Sequence, residues 1–116
     1  MHTNTIPATQ VREDAKALLW ELSIPVNQLG YRELCVAIPC FRENPIQSFS
    51  GDLYPHVAQK LGISDWRAVE NGIRRAIRKG WEKRDPEVWE RYFPGQKEAP
   101  SNSLFIATLA ERVESR

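Results

Sequence analysis

Residues that build metal and redox sites are scarce in this sequence. The 116 residues include two cysteines, two histidines and one methionine. Cys35 and Cys40 lie five positions apart in an apolar stretch, which is not a zinc-binding spacing, and the sequence has no second Cys/His pair to complete a site. We therefore interpret both cysteines as reduced thiols in or near the core of a cytosolic protein. No metal and no cofactor are expected.

Long apolar runs and catalytic motifs are also missing. No apolar stretch approaches membrane length, and the N-terminus does not carry the charged and apolar regions of a secretory signal. The sequence contains no Ser/His/Asp set, no glycine-rich phosphate loop and no helical metal-binding motif. It therefore predicts a cytoplasmic protein that is not an enzyme and has no membrane partner.

The composition that remains is that of an ordinary globular protein, with 41% hydrophobic and 27% charged residues. The length suits one domain, and four Trp, four Phe and three Tyr can fill a modest core. No period-two stretch is long enough for a sheet, and there is no internal repeat. We predict an all-α fold of about six helices over residues 11–116, preceded by a disordered tail at 1–10.

Apolar residues at three- and four-residue spacing, together with start and stop residues, predict where the helices lie. The predicted spans are 11–22, 28–41, 53–61, 65–82, 86–92 and 103–113. Pro39 falls inside the second span and removes a backbone donor at a cost of about 3 kcal/mol, so we expect a kink or an early end near Ile38. Ser101 or Asn102 is expected to cap the last helix.

The segment around residues 51–83 has the pattern of a helix–turn–helix. Gly62 is placed to end a short helix, and Ser64 is a good N-cap for the long helix that follows. One face of the long helix is apolar: Val69, Ile73, Ala76, Ile77 and Gly80. Polar residues fall mostly on the other side: Arg67, Asn71, Arg74, Arg75 and Arg78. This arrangement is typical of a pair whose second helix enters the DNA major groove.

Positive charge is concentrated in this same segment, although the whole chain carries only +1. Residues 65–84 contain seven positive and three negative side chains, a local charge of +4, and the other 96 residues carry −3. A basic face on a near-neutral body matches a short, local contact with phosphates.

Several blocks of the sequence, in the same order, resemble a known family. They are Ile24-Pro25, Gly30-Tyr31-Arg32-Glu33-Leu34, 53–60, Val69-Glu70, Ile73-Arg74, Ala76-Ile77, Trp81, Ser101-Asn102-Ser103 and Phe105-Ile106-Ala107. Over residues 12–112 the chain is similar to the C-terminal DNA-binding effector domain of the stage-zero sporulation response regulator of spore-forming Firmicutes. The resemblance implies a six-helix bundle with an embedded helix–turn–helix, of the response-regulator effector class. It also implies a transcription regulator whose partner is double-stranded DNA.

By position, the resemblance assigns Glu70 and Arg74 to base contacts. Arg75 stands where the family usually has His, and Asn71 where it usually has a second Arg. The operator is therefore expected to differ, because Arg favours guanine and Asn favours adenine. The family's regulator also carries an N-terminal receiver domain, whereas about ten residues precede the first predicted helix here. We expect an effector domain without phosphorylation-driven dimerisation.

The candidate DNA-contacting residues differ in their expected roles. Arg74 is the main base contact, and Glu70 accepts from cytosine, orients Arg74, or does both. Asn71 either pairs with adenine or is an exposed polar residue, and Trp66 is expected to pack rather than to contact DNA. The remaining candidates, which either contact phosphates or form a solvated helix face, are Arg67, Arg75, Arg78, Lys60 and Lys79.

Two functions of different class follow from these patterns. The first is a sequence-specific transcription regulator that reads the major groove with helix 65–82; RNA polymerase or a second copy on tandem sites are further partners that it allows. The second is a protein-interaction module that modulates a full-length regulator or RNA polymerase without reading an operator. Exposed apolar residues on the last helix would support the second function.

Overall fold

The computed structural model describes residues 7–114 of the chain. Over these residues it consists of six α-helices and one π-helical turn, with no strand. The helices are α1 Ala8–Glu21, α2 Leu29–Glu43, α3 Tyr54–Leu61, α4 Trp66–Glu82, α5 Pro86–Tyr92 and α6 Asn102–Glu114. The π turn, Phe49–Leu53, directly precedes α3. The predicted all-α class with six helices is confirmed.

The first helix starts earlier than its apolar pattern indicated. α1 begins at Ala8, so residues 8–10 of the predicted tail are helical, whereas residues 1–6 of that tail lie outside the described residues. The backbone N–H of Val11 donates to the carbonyl of Pro7 at 3.0 Å, which closes the first turn. Pro7 favours this start because its fixed φ suits a helix N-terminus, where a missing N–H costs nothing.

Pro39 does not end α2, so of the two outcomes expected near Ile38, a kink or an early end, the early end is wrong. The helix continues to Glu43, a full turn beyond the proline. Ile38 is fully buried and Cys40 is buried, so both neighbours of Pro39 belong to the core. Burial of an isoleucine side chain stabilises by about 1.5–3 kcal/mol, which offsets the hydrogen bond that Pro39 cannot make.

The core is organised around α2, which packs against α1, α3, α4 and α6. Buried side chains from all six helices form one continuous cluster. The largest of them are Leu18, Leu19, Leu34, Ile38, Ile73, Ile77, Trp89, Phe105, Ile106 and Leu109. The hydrophobic effect therefore acts on every helix at once, and no helix depends on its intrinsic propensity alone.

An aromatic cluster attaches the short helix α5 to the rest of the fold. The Trp89 ring centroid lies 5.5 Å from those of Trp81 and Phe93 and 6.0 Å from that of Phe105. Its indole Nε1 donates a hydrogen bond to the carbonyl of Leu22 at 3.2 Å. A buried indole N–H usually has such a partner, because leaving the donor unpaired costs free energy. Trp89 thereby links α5 to α4, to α6 and to the end of α1.

The backbones of α2 and α4 approach each other closely at Gly30 and Gly72. A Cβ atom at position 30 would overlap the carbonyl oxygen of Gly72 and the Cβ of Ala76. A Cβ at position 72 would overlap the carboxylate of Glu33. The two glycines are therefore required by helix packing, since both positions are buried in regular helix.

We predict that Gly30→Ala destabilises the protein although Ala favours helix by about 1 kcal/mol over Gly. The added methyl group meets backbone of α4, so the two helices must separate, at an expected loss of about 1–3 kcal/mol in the free energy of unfolding. Denaturant unfolding measures this loss. Arg32→Ala, an exposed position on the same helix, is the control and should change stability by less than about 0.5 kcal/mol. An equal effect of the two substitutions would contradict the packing role of Gly30.

Candidate nucleic-acid interface

A four-residue turn joins α3 to α4 and sets the direction of the long helix. Gly62 ends α3 with a φ of 71°, a left-handed conformation that glycine adopts without strain. The N–H groups of Gly62 and Ile63 donate back to the carbonyls of Gln59 and Ala58 at 3.3 and 2.8 Å. The sequence therefore identified the end of α3 correctly, and α3, turn and α4 form the predicted helix–turn–helix.

Asp65, rather than the predicted Ser64, caps α4. The Asp65 carboxylate accepts a hydrogen bond from the backbone N–H of Arg67 at 3.0 Å. This bond is the main reason why the pKa of Asp65 is lowered. Ser64 lies one position too early, because Asp65 already has the extended backbone of a capping residue. A negative charge at this helix start also complements the helix dipole.

The two faces of α4 differ as the sequence predicted. Its buried residues are Val69, Gly72, Ile73, Ala76, Ile77 and Gly80. On the opposite side one exposed stripe runs along the helix, formed by Arg67, Asn71, Arg74 and Arg78. We call these four residues the α4 stripe. Their spacing of four, three and four residues places them above one another on successive turns.

The other candidates on α4 flank this stripe. Arg75 and Lys79 are exposed and lie on the side of α4 that leads toward Gly72 and α2. Glu70 is half-buried on the side facing α6. The exposure of Arg74, Arg75 and Arg78 means that the segment 94–100 does not cover this side of α4.

Arg74 is held by two neighbours on its own helix. Its Nη1 donates to Oδ1 of Asn71 at 2.9 Å, and its Nη2 lies 3.5 Å from Oε2 of Glu70. The Arg74 side chain keeps 51% of its surface exposed. These contacts limit the conformations of the Arg74 side chain and leave its guanidinium accessible. The side chain therefore loses less entropy when it binds a partner.

Asn102 links the N-terminus of α6 to both helices of the helix–turn–helix. The Asn102 amide donates to the hydroxyl of Tyr54 at 3.2 Å and to the backbone carbonyl of Glu70 at 3.0 Å. Ser101, one of the two predicted caps, accepts from the N–H of Leu104 at 3.2 Å, so Asn102 is not the cap. Sequence reasoning missed this link, although Asn102 stands in one of the blocks that carry the family resemblance.

A cleft of about 380 Å³ opens at this junction, beside the α4 stripe. It is lined by Phe49, Ser50, Tyr54, Glu70, Arg74, Ser101, Asn102 and Ser103. Burial raises the pKa of the Tyr54 hydroxyl, so this group remains a neutral hydrogen-bond partner at physiological pH. The cleft therefore brings two predicted residues of α4 together with polar groups of α6.

Trp66 packs against the protein, as expected. Its ring is stacked on that of Tyr54, with centroids 6.1 Å apart and an interplanar angle of 11°. The guanidinium carbon of Arg67 lies over the Trp66 ring, 5.6 Å from its centroid. The Nε of Arg67 is 3.3 Å from the Asp65 carboxylate. The start of α4 is thus ordered by stacking and capping together.

Lys60 lies apart from the α4 stripe. It is exposed in the last turn of α3 and lines a different cleft, of about 300 Å³, together with Cys35, Cys40 and His56. Both cysteines are free thiols, in agreement with the interpretation as reduced thiols in or near the core, and burial raises the pKa of each. This second cleft contains no residue of α4.

The described part of the chain contains neither a group of metal ligands nor a membrane-spanning helix. Over residues 7–114, no three His, Cys, Asp or Glu side chains are grouped so that they could hold a metal ion. None of the helices in that range has the length and apolar character needed to span a membrane.

We predict that Asn102→Ala destabilises the helix–turn–helix. The substitution removes both hydrogen bonds at a position that is only 8% exposed, with an expected loss of about 1–3 kcal/mol. Thermal or denaturant unfolding measures it. Ser103→Ala, one residue along and exposed, is the matched control. If both variants unfold at the same midpoint, Asn102 does not fasten α6 to α4.

The family to which the chain belongs agrees with this geometry. The family model described as "Sporulation initiation factor Spo0A C terminal" matches residues 15–113, nearly the whole chain. That family comprises DNA-binding effector domains, and its helical fold fits the helix–turn–helix of α3 and α4. The chain belongs to the family of the C-terminal, DNA-binding domain of the sporulation initiation factor Spo0A.

Proposed function

We propose that the chain is a sequence-specific transcription regulator that inserts α4 into the DNA major groove. The observation that supports this proposal best is the α4 stripe, in which three arginines and an asparagine share one exposed face of a helix whose other face is in the core. An exposed polar helix of this length suits the major groove, which admits one α-helix.

In this proposal Arg74 and Asn71 read bases. Arg74 presents a guanidinium that donates two parallel hydrogen bonds to guanine, and Asn71 pairs in the same way with adenine. Because Arg74 already contacts Asn71 and Glu70, a base pair that attracts one of the three side chains changes the positions of the others. Base preference at adjacent positions should therefore be coupled.

The remaining basic residues are assigned to phosphates. Arg67, Arg75, Arg78 and Lys79 surround the base-reading pair on α4, where the sugar–phosphate backbone would lie on either side of the groove. Lys60 is the weakest candidate, since it lines a separate cleft beside α2. Phosphate contacts supply affinity and orientation but do not discriminate between sequences.

The alternative of a protein-interaction module gains little from the last helix. Leu104 of α6 is 42% exposed, whereas Phe105, Ile106 and Leu109 of the same helix are fully buried. One half-exposed leucine does not make an apolar surface of the size that a partner protein covers. The α4 stripe therefore supports DNA reading better than α6 supports a protein partner.

We predict that Arg74→Ala weakens binding to the selected DNA site and relaxes the preference at one base position. The expected loss is about 1–3 kcal/mol, since a bidentate contact to guanine is removed. The site is first obtained by in vitro selection from a random duplex library, and affinity is then measured by fluorescence anisotropy.

Lys79→Ala is the matched control on the same helix. It should weaken binding evenly across DNA sequences and reduce the slope of log affinity against log salt by about 1, because one phosphate contact is lost. Selection that enriches no motif, or an Arg74→Ala variant that keeps both affinity and base preference, would refute sequence-specific reading by α4.

A further inference from the structure

The carboxyl group of Glu33 is buried between α2 and the proposed DNA-reading helix α4. Glu33 lies on α2, its exposure is 0%, and among residues 7–114 no hydrogen-bond donor reaches either of its carboxylate oxygens. The carboxyl group occupies the space that a side chain at Gly72 of α4 would fill. A buried carboxylate without a donor is strongly unfavourable, so this position favours the neutral acid.

The packing around Glu33 leaves it little freedom to gain partners where it is. One turn earlier, Gly30 brings the α2 backbone against the carbonyl of Gly72 and the side chain of Ala76. The helices cannot come closer, and water has no access to the group. A charge on Glu33 can therefore be accommodated only if the side chain shifts toward a cation or the two helices move apart.

Arg75 is the cation in reach. It lies on α4 one turn beyond Gly72, on the flank nearest to α2, and it is the charged group whose field acts on Glu33. The other helices packed against α2 are α1, α3 and α6, and the charged side chains of α6 include Glu111 and Arg112; Arg75 is the charged group that lowers the pKa of Glu33. Glu13 and Lys16 of α1 act on Cys35, Lys60 of α3 acts on Cys40, and Glu70 and Arg74 act on Tyr54.

We propose that Glu33 is a positioning residue for DNA binding, whose protonation decides whether Arg75 is available to the phosphate backbone. As the neutral acid it stays under Gly72, and Arg75 remains exposed for DNA. As the carboxylate it draws Arg75 toward α2 and withdraws one cation from the DNA-facing side. This inference rests on the proposed function of α4.

The change falls in the physiological pH range. Burial raises the pKa of Glu33 from 4.5 to about 7, and the field of Arg75 opposes this rise only in part. Because the folded state holds the proton more tightly than the unfolded chain, the group lowers stability progressively as pH rises from about 4.5 to about 7. DNA affinity should fall over the upper part of the same range, and bound DNA should in turn favour the protonated form.

The test compares the wild type with Glu33→Gln, a variant of nearly the same shape that cannot ionise. Affinity for the selected DNA site is measured by anisotropy at pH 6 and pH 8 and constant ionic strength. We expect equal affinities at pH 6 and about five- to tenfold tighter binding by Glu33→Gln at pH 8. Glu98→Gln, which removes one exposed carboxylate elsewhere, should follow the wild type at both pH values.

Arg75→Ala provides a second test that does not alter the core. Since Arg75 is the group that ionised Glu33 withdraws, this variant should bind more weakly at pH 6 and lose the additional fall in affinity toward pH 8. In the Arg75→Ala background, Glu33→Gln should then have no further effect on affinity. Unfolding midpoints measured without DNA should show Glu33→Gln becoming more stable than the wild type between pH 5 and pH 8.

The possible failures are distinguishable. If the wild type binds no DNA motif at pH 6, the proposed function fails and this inference fails with it. If the wild type binds but Glu33→Gln follows the same pH profile, only the role of Glu33 is overturned. The same holds if Arg75→Ala keeps the full pH dependence of the wild type.

Discussion

The contact between α2 and α4 at Gly30 and Gly72 decides which side of α4 meets solvent. The backbones touch there, so α4 cannot rotate about its axis without driving a side chain into α2. A shift of one residue turns a helix by about 100° and would bring a charged residue of α4 into the core. The α4 stripe thus faces outward because Gly30 and Gly72 have no side chains and let the two helices pack closely.

Three further contacts hold α4 along its length. Near its start, Trp66 is stacked on Tyr54, and Asn102 ties the Glu70 carbonyl to α6. Near its end, the Trp81 ring packs edge-to-face against that of Trp89, and the indole N–H of Trp89 donates to the carbonyl of Leu22 at the end of α1. A helix fixed at its beginning, middle and end loses little entropy when it binds a rigid partner such as duplex DNA.

The fold was predictable from the sequence because six amphipathic helices leave a clear three- and four-residue periodicity. The side of α4 that is buried followed from the same pattern.

Local details of the structure were less predictable from the sequence. Ser64 and Asp65 are both good caps, and only the backbone distinguishes them. Pro39 continues in helix because its neighbours are held by tertiary burial, which no local rule contains. Asn102 pairs with residues 32 and 48 positions away, so its partners depend on the assembled fold. Glu33 shares a helix face with Gly30 and Ala37, a sign of burial that periodicity could have provided.

In the mechanism that we propose, the position of Glu33 also relates the stability of the domain to the charge of its DNA-facing surface. Natural cores exclude an acid without partners unless something offsets its cost, and such exceptions concentrate at functional positions. Here the acid sits directly behind α4, so the residues it contacts and the exposed basic residues belong to one rigid helix. In the proposed mechanism, ionisation of Glu33 on the buried side of α4 draws Arg75 away from the exposed side, so one proton acts both on the stability of the domain and on its DNA-facing charge.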